Sequence, residues 1–225
     1  MEYKIIGSVM PVVELTLRLG DRIFAQPGAM MWMDGDIVME TSAGGLLGGL
    51  KRSLMGESFF QSWFYPRVDG AKIAFGHSYP GHIIPVEADR GIVCQKRAFL
   101  CAQEGVQLEL AFQRKLGAGF FGGEGFIMQK LQGRGMAFLE IDGECVVREL
   151  APGEILKVDT GSVAAYEQSV QMDIEAVRGF KNIFFGGEGL FLTTLRGPGK
   201  VWLQTMPLPN LARSIFPYLP IPRQE

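Results

Sequence analysis

One segment of the sequence occurs twice almost unchanged, and this repeat constrains the fold more than any other feature. The string FFGGEGFIMQKLQGRGMAFLE begins at Phe120, and FFGGEGLFLTTLRGPGKVWLQ begins at Phe184, 64 residues later. A diverged third version, MGESFF, begins at Met55. A repeat of this length indicates supersecondary units that stack and bury a continuous core together.

Weaker similarity extends the repeat toward the amino terminus. The segments LRLGDRIFAQPGAMMWM, EADRGIVCQKRAFLCAQ and LAPGEILKVDTGSVAAY each combine two turn signals with two short strands. If Gly28, Arg97 and Gly161 are taken as equivalent, the distances to the glutamate of the repeated motif are 29, 27 and 27 residues. No linker-like stretch separates the units, so we expect one compact domain over residues 1–225. The predicted repeats are approximately 1–80, 81–148 and 149–210, followed by a carboxyl-terminal tail at 211–225.

Alternating polar and apolar residues predict β-strands within each unit. The segments 14–19, 106–113 and 170–177 all alternate in this way, as half-buried strands do. Short strands with frequent turn signals predict an all-β sandwich or barrel-like fold. The one helix that we predict runs from Asn210 to Phe216, with Asn210 as its amino-terminal cap.

Composition excludes several classes of protein. Apolar residues make up 47% of the 225 residues, which argues against disorder. The net charge of −2 argues against nucleic acid as a partner, because phosphate binding usually needs a basic face. Three cysteines without a CxxC pair argue against disulfides and zinc, and fit a reducing compartment. The first residues do not resemble a signal peptide, so we expect a soluble, cytoplasmic protein.

Several motifs together resemble a known family. GGLLGGLKRSLMGESFF, the two FFGGEG segments, PGHIIPVE and VWLQTMP occur in the order found in the mitochondrial-biogenesis (altered inheritance of mitochondria) family and its bacterial members. The resemblance covers the chain from about Ile5 to Leu211. It implies three copies of a unit similar to the trp RNA-binding attenuation protein, each a short β-sandwich of the double-stranded β-helix type. We expect these copies to surround a pseudo-threefold axis.

The same resemblance implies little about activity. The family has no established enzymatic reaction, cofactor or ligand, and its eukaryotic members are linked to the organisation of the mitochondrial inner membrane. The present chain has His82 where many members have a lysine, which puts any role of that cation in doubt.

A glycine-rich stretch, GGLLGGLKRS, begins at Gly44 and does not match a phosphate-binding loop. It lacks the adjacent Gly-Lys-Ser/Thr that places an ammonium group against phosphates and a hydroxyl on magnesium. We interpret it as an insertion specific to the first repeat, whose leucines pack on a neighbouring element or on another subunit. Weak contact with an anionic membrane surface is the alternative. The residues for either contact are Leu46, Leu47, Leu50, Lys51 and Arg52.

The repeat also brings three carboxylates into equivalent positions, Glu57, Glu124 and Glu188. Each can accept backbone hydrogen bonds or pair with an arginine, which is the structural interpretation that we favour. Alternatively, a pseudo-threefold axis would bring the three carboxylates together, and they would then need a cation or shared protons.

Other candidate chemistry is weaker. His77 and His82 flank a Pro-Gly turn, but no further ligand has metal-site spacing, so we expect surface histidines. No serine lies in a G-x-S-x-G motif. Cys94 and Cys101 lie in segments that read as buried strands, where thiols are usually unreactive.

One arginine falls near the same turn of each repeat, at positions 67, 134 and 196. One cation per repeat is a weak basis for RNA binding, and a solvated turn explains it.

The sequence therefore predicts a non-enzymatic scaffold or binding module that forms a homo-oligomer and uses no cofactor. The contact surfaces that we expect are the region 44–60 and the tail around Leu208–Tyr218. The alternatives are a small-molecule or ion-binding protein with a site between repeats, and a peripheral organiser of a membrane.

Overall fold

The computed structural model describes residues 1–42, 61–76, 79–114, 125–176 and 191–220, and in these ranges the protein is built from antiparallel β-sheets. The all-β fold class is confirmed. The strands are β1 (Glu2–Ile6), β2 (Val12–Leu17), β3 (Ile23–Ala25), β4 (Met30–Asp34), β5 (Ile37–Ser42), β6 (Gln61–Pro66), β7 (Ala71–Gly76), β8 (Gly81–Glu87), β9 (Ile92–Gln95), β10 (Phe99–Gln103), β11 (Val106–Arg114), β12 (Phe126–Gly133), β13 (Met136–Asp142), β14 (Cys145–Leu150), β15 (Ile155–Asp159), β16 (Val163–Glu167), β17 (Gln171–Ala176), β18 (Phe191–Arg196) and β19 (Gly199–Gln204).

These strands form four sheets, which we number in chain order. Sheet I has the strand order β1-β2-β7-β4, and sheet II has the order β5-β6-β3-β10-β13-β8. Sheet III has the order β11-β12-β9-β16-β19-β14, and sheet IV has the order β15-β18-β17. Sheets II and III therefore each join two groups of three strands, whereas sheets I and IV each contain one such group.

One irregularity occurs in the same place in three sheets. In β4, β10 and β16 the second residue is bulged, so that the register against β7, β13 and β19 shifts by one position. The bulged residues are Met31, Leu100 and Ala164. Each of the three strands is five residues long. A bulge bends its strand and increases the local twist, so these strands share one local shape.

The core consists of three apolar layers between successive sheets. Val13, Leu15 and Phe75 of sheet I pack with Phe64 and Phe138 of sheet II. The next layer joins sheets II and III, and a third joins sheets III and IV. Sheets II and III are thus covered on both faces, whereas sheets I and IV are each covered on one face. Phe24, Phe99, Leu139, Ile92 and Leu131 line the middle layer; Phe126, Met128, Val201, Ile174 and Leu195 line the third.

The alternating patterns locate the strands but do not give all of their environments. β2 alternates between half-buried and buried positions as predicted. β11 occupies the predicted segment, but most of its side chains are exposed because it is the edge strand of sheet III. A bulge between Leu110 and Phe112 also shifts its alternation.

The helix α1 runs from Leu208 to Ile215, two residues earlier than predicted, and a 3-10 turn follows at Phe216–Tyr218. Asn210 is therefore inside the helix and not its cap. Pro207 occupies the cap position, and Pro209 is accommodated in the first turn because the N–H groups there have no partner within the helix. No helix in the described part of the chain is long and apolar enough to cross a membrane.

Candidate functional site

Most residues that the sequence singled out lie outside the described part of the chain. This holds for the predicted contact loop and for the three glutamates, so the convergence of the glutamates stays a prediction. The residues concerned are Leu46, Leu47, Leu50, Lys51, Arg52, Glu57, Glu124, Glu188 and His77.

His82 lies near the start of β8 and is half-buried, whereas we expected a surface histidine. Its Nδ1 atom is 2.9 Å from the carbonyl oxygen of Gly143, and its Nε2 atom is 3.4 Å from a carboxylate oxygen of Glu144. Both ring nitrogens thus face the β13–β14 turn. Within the described ranges no three His, Cys, Asp or Glu side chains are grouped as metal ligands would be.

The cysteine thiols are placed for packing. Cys94 and Cys101 are buried in the core, as predicted. Burial raises the pKa of the Cys94 thiol to about 12. Burial, and then the nearby charge of Glu140, raise the pKa of the Cys101 thiol well above its ordinary value. Cys145 is only partly buried, and burial followed by the charge of Glu144 raises its thiol pKa.

A buried polar cluster, which sequence reasoning missed, centres on Glu140 and Asp142 of β13. These carboxylates are 4% and 7% exposed, and they lie on the same side of the strand because they are two residues apart. The side-chain amide of Gln26 donates a hydrogen bond of 2.6 Å to Glu140. The backbone N–H of Leu208 donates one of 2.7 Å to Asp142.

Tyr79 completes this cluster from the β7–β8 connection. Burial raises the pKa of its phenol, and the charges of Asp142 and Glu140 raise it further, whereas the positive charge of Arg97 lowers it. A hydrogen bond to Asp142 favours the same neutral phenol. The backbone of Asp142 is also bonded to the chain that leads to α1, since its N–H donates to Gln204 and its carbonyl accepts from Met206. The cluster therefore fastens the start of α1 to the centre of the molecule.

Beyond this anchor, α1 and the following turn carry a large exposed apolar surface. None of the eight helical residues is buried. Phe216 is 59% exposed and Tyr218 is 86% exposed, and Ile215 and Leu219 are also exposed. Large apolar side chains grouped in this way are typical of interaction surfaces.

A second apolar surface lies on β4, at the edge of sheet I. Its consecutive residues Met31, Trp32 and Met33 are 45%, 43% and 38% exposed. Because neighbouring residues of a strand face opposite sides, β4 is open to solvent on both faces. The sequence MMWMD does not match this exposure. Apolar residues without alternation are typical of a strand that is buried on both faces, so the string itself indicates a contact surface.

Comparisons with known proteins identify the family. The family model described as mitochondrial biogenesis AIM24 matches residues 3–206. The chain belongs to the mitochondrial biogenesis AIM24 family. An uncharacterised protein from Streptococcus pyogenes serotype M6 is 28% identical over 221 residues, which cover 93% of this chain and 87% of the relative. A crystal structure of a Streptococcus pyogenes protein has a similar fold, with a TM-score of 0.78 and 25% identity, over 97% of this chain and 99% of the other.

The first prediction from this geometry concerns Asp142. Replacing Asp142 by alanine removes the acceptor for the N–H of Leu208, and an unsatisfied buried group costs about 1–3 kcal/mol. We expect the free energy of unfolding to fall by that amount and amide hydrogen exchange at Leu208 to accelerate. Asp89→Ala, at an exposed position, is the control and should change the stability by less than about 0.5 kcal/mol. Unchanged exchange at Leu208 in Asp142→Ala would contradict the anchoring role.

The second prediction concerns the thiols. At pH 8 a disulfide reagent should modify Cys145 in the folded protein, and should reach Cys94 and Cys101 only after unfolding. The raised pKa of Cys94 also means that its ionisation favours the unfolded chain. The stability that the protonated Cys94 thiol contributes should therefore be lost as the pH rises from the ordinary thiol pKa of 9.0 towards about 12. Cys145→Ser is the control, and rapid reaction of two or more thiols in the folded wild type would show the prediction to be wrong.

Proposed function

We propose that this chain is a non-enzymatic binding scaffold that works as a homo-oligomer. The observation that carries the proposal is the carboxyl-terminal helix, which is fastened at one end by Asp142 and buries none of its own residues. A helix of eight residues is too short to be stable in water by itself, so its apolar side needs a surface to pack on.

The residues of α1 are arranged for such packing. Leu208, Leu211, Ala212 and Ile215 have the i, i+3, i+4, i+7 spacing of one helix face. Leu208 and Leu211 are half-buried against their own chain, whereas Ile215 is exposed. The apolar face therefore continues outward from the body of the protein. Fully burying a side chain such as Ile215 or Phe216 in a contact would contribute about 1.5–3 kcal/mol.

We further propose that the scaffold consists of three tandem units similar to the trp RNA-binding attenuation protein. The pseudo-threefold axis stays a prediction, because within the described ranges β4 and β15 do not pair to close a ring. The orders β2-β7-β4, β8-β13-β10 and β14-β19-β16 have the same connectivity, and the shared bulge supports their equivalence. The fold similarity to the streptococcal protein is consistent with a common architecture in the family.

The alternative functions have less support. An interfacial membrane helix usually carries several cations on its polar face, and α1 carries only Arg213. A site for an ion or small molecule between units would rest on the glutamates at positions 57, 124 and 188, which lie outside the described residues. A scaffold that associates through apolar surfaces accounts for more of the described molecule.

The test is the mass in solution of helix variants. Ile215→Glu and Phe216→Glu place a charge on the apolar side of the tail, and each should weaken self-association at least tenfold if that side is buried in the oligomer. Light scattering during size-exclusion chromatography measures the mass across a dilution series. Ser214→Glu adds the same charge to the polar side of α1 and is the control.

A wild-type mass equal to one chain at every concentration would rule out the oligomeric scaffold. An oligomer that tolerates Ile215→Glu and Phe216→Glu would exclude this tail as the contact, and the association would then use another surface.

A further inference from the structure

Two junctions inside the chain show how neighbouring strand groups are joined. In sheet II, β3 pairs with β10, with Ala25 opposite Cys101 and Ile23 opposite Gln103. In sheet III, β9 pairs with β16, with Cys94 opposite Ala165 and Ile92 opposite Glu167. In each junction a short strand of one group, β3 or β9, pairs with the bulged strand of the next group, β10 or β16.

Both junctions also continue by one backbone hydrogen bond past the paired residues. The N–H of Glu104 donates to the carbonyl of Arg22 at 3.0 Å. At the other junction the N–H of Gln168 donates to the carbonyl of Gly91 at 2.9 Å. The two junctions are therefore the same arrangement made twice, although the side chains differ.

The strands that would make a third junction are β4 and β15. β4 carries the same bulge as β10 and β16, and β15 pairs with β18 as β9 pairs with β12. Within the described ranges β4 is paired only with β7, and β15 is paired only with β18. Each of these strands thus has one edge without a partner strand in the described part of the chain.

β4 and β15 are more exposed to solvent than the equivalent strands of the two junctions. The central residues of β10 and β16 are buried, whereas Met31, Trp32 and Met33 of β4 are exposed. β3 and β9 are buried throughout, whereas β15 alternates between exposed and half-buried positions and Ile155 is 49% exposed. β4 nevertheless keeps the apolar composition of a strand that is covered on both faces.

We propose that β15 of one chain pairs antiparallel with β4 of a second copy, and so joins sheet IV of the first to sheet I of the second. The inference rests on the proposed self-association and adds a second contact to that of α1, and we expect a stable oligomer only when both contacts form. Because the two edges differ, the contact is head-to-tail, and every chain offers one edge of each kind.

The internal junctions set the register of this pairing. Bringing β4 into the position of β10, and β15 into that of β9, places Trp32 opposite Val158, Met33 opposite Lys157 and Asp34 opposite Leu156. The additional hydrogen bond would run from the N–H of Gly35 to the carbonyl of Ile155. Every strand of the joined sheet except its outermost two would then have partners on both sides.

The joined sheet would also be covered on both faces. Sheet I is covered by sheet II of its own chain, and sheet IV is covered by sheet III of its own chain. Sheet II lies in the same way between sheets I and III. By this equivalence, the joined sheet lies between sheet III of one copy and sheet II of the other. Trp32, which lies on the outer face of sheet I, would be buried as a result.

The one charged side chain at the centre of this contact fits it. Lys157 takes the position of Val93 and Phe24, and its ammonium group is 3.5 Å from the carboxylate of Glu175 on the neighbouring part of sheet IV. Its aliphatic stem can therefore cover Met33 while the charge stays paired.

The experiment blocks one edge at a time. Backbone groups of alternate residues face the same side of a strand, so the N–H groups of Met33 and Lys157 face the open edges, as that of Glu104 faces β3. Met33→Pro and Lys157→Pro each remove one such N–H and leave the bonds to β7 and β18 in place. Met33→Val and Lys157→Val keep the N–H and are the matched controls.

Native mass spectrometry gives the expected pattern. Wild type and both valine variants should form oligomers, and each proline variant alone should be a monomer. A mixture of the two proline variants should form a dimer that contains one chain of each, because one intact β4 and one intact β15 remain.

Charge variants cover the case in which a proline variant does not fold. Met33→Lys places a cation opposite Lys157 and should weaken association at least tenfold, whereas Met33→Glu should retain it. A wild-type oligomer that is indifferent to all of these changes overturns the strand pairing and leaves the proposed scaffold intact. A wild-type monomer overturns both.

Discussion

The fold depends on backbone pairing between neighbouring strand groups. The β3–β10 and β9–β16 ladders join groups of three strands into six-stranded sheets. These sheets then stack, and each interior sheet contributes side chains to the apolar layers on both of its faces. Phe24, Phe99 and Leu139 come from three strands of sheet II that this pairing places side by side. They are buried because they occupy the layer between sheets II and III.

The same constraint explains why the two ends of the molecule differ from its middle. A strand group in the middle has a neighbour on each side, whereas the first and last groups each lack one. Stacked repeat proteins commonly solve this with polar terminal caps, or continue the stack with another subunit. Met31, Trp32 and Met33 are not a polar cap, and their composition favours continuation. The proposed assembly would give this AIM24-family fold a physical role that needs no catalytic centre.

The sequence predicted the all-β class because its alternating apolar runs and turn signals locate many of the strands. It also aligned Gly28, Arg97 and Gly161, and the bulged residues of β4, β10 and β16 each lie three positions after them. It could not predict the Glu140–Asp142 cluster, because Gln26, Tyr79 and Leu208 come from distant parts of the chain and only the folded sheets bring them together. The start of α1 was misplaced because Asn210 is a good cap by itself, whereas two prolines favour an earlier first turn. The predicted contact loop and the repeat glutamates lie outside the described ranges, so they stay predictions.

A disulfide between two copies tests the pairing of β4 with β15 most directly. In the proposed register Trp32 and Val158 face each other across a position without cross-strand hydrogen bonds, where Cα atoms are about 4.5 Å apart and a disulfide fits. Chains with Trp32→Cys and chains with Val158→Cys, both with Cys145→Ser, should form a covalent dimer on mixing under mild oxidation. Leu156→Cys in place of Val158→Cys shifts the thiol by two residues and should cross-link much less. Equal cross-linking of the two pairs, or none of either, would contradict the account.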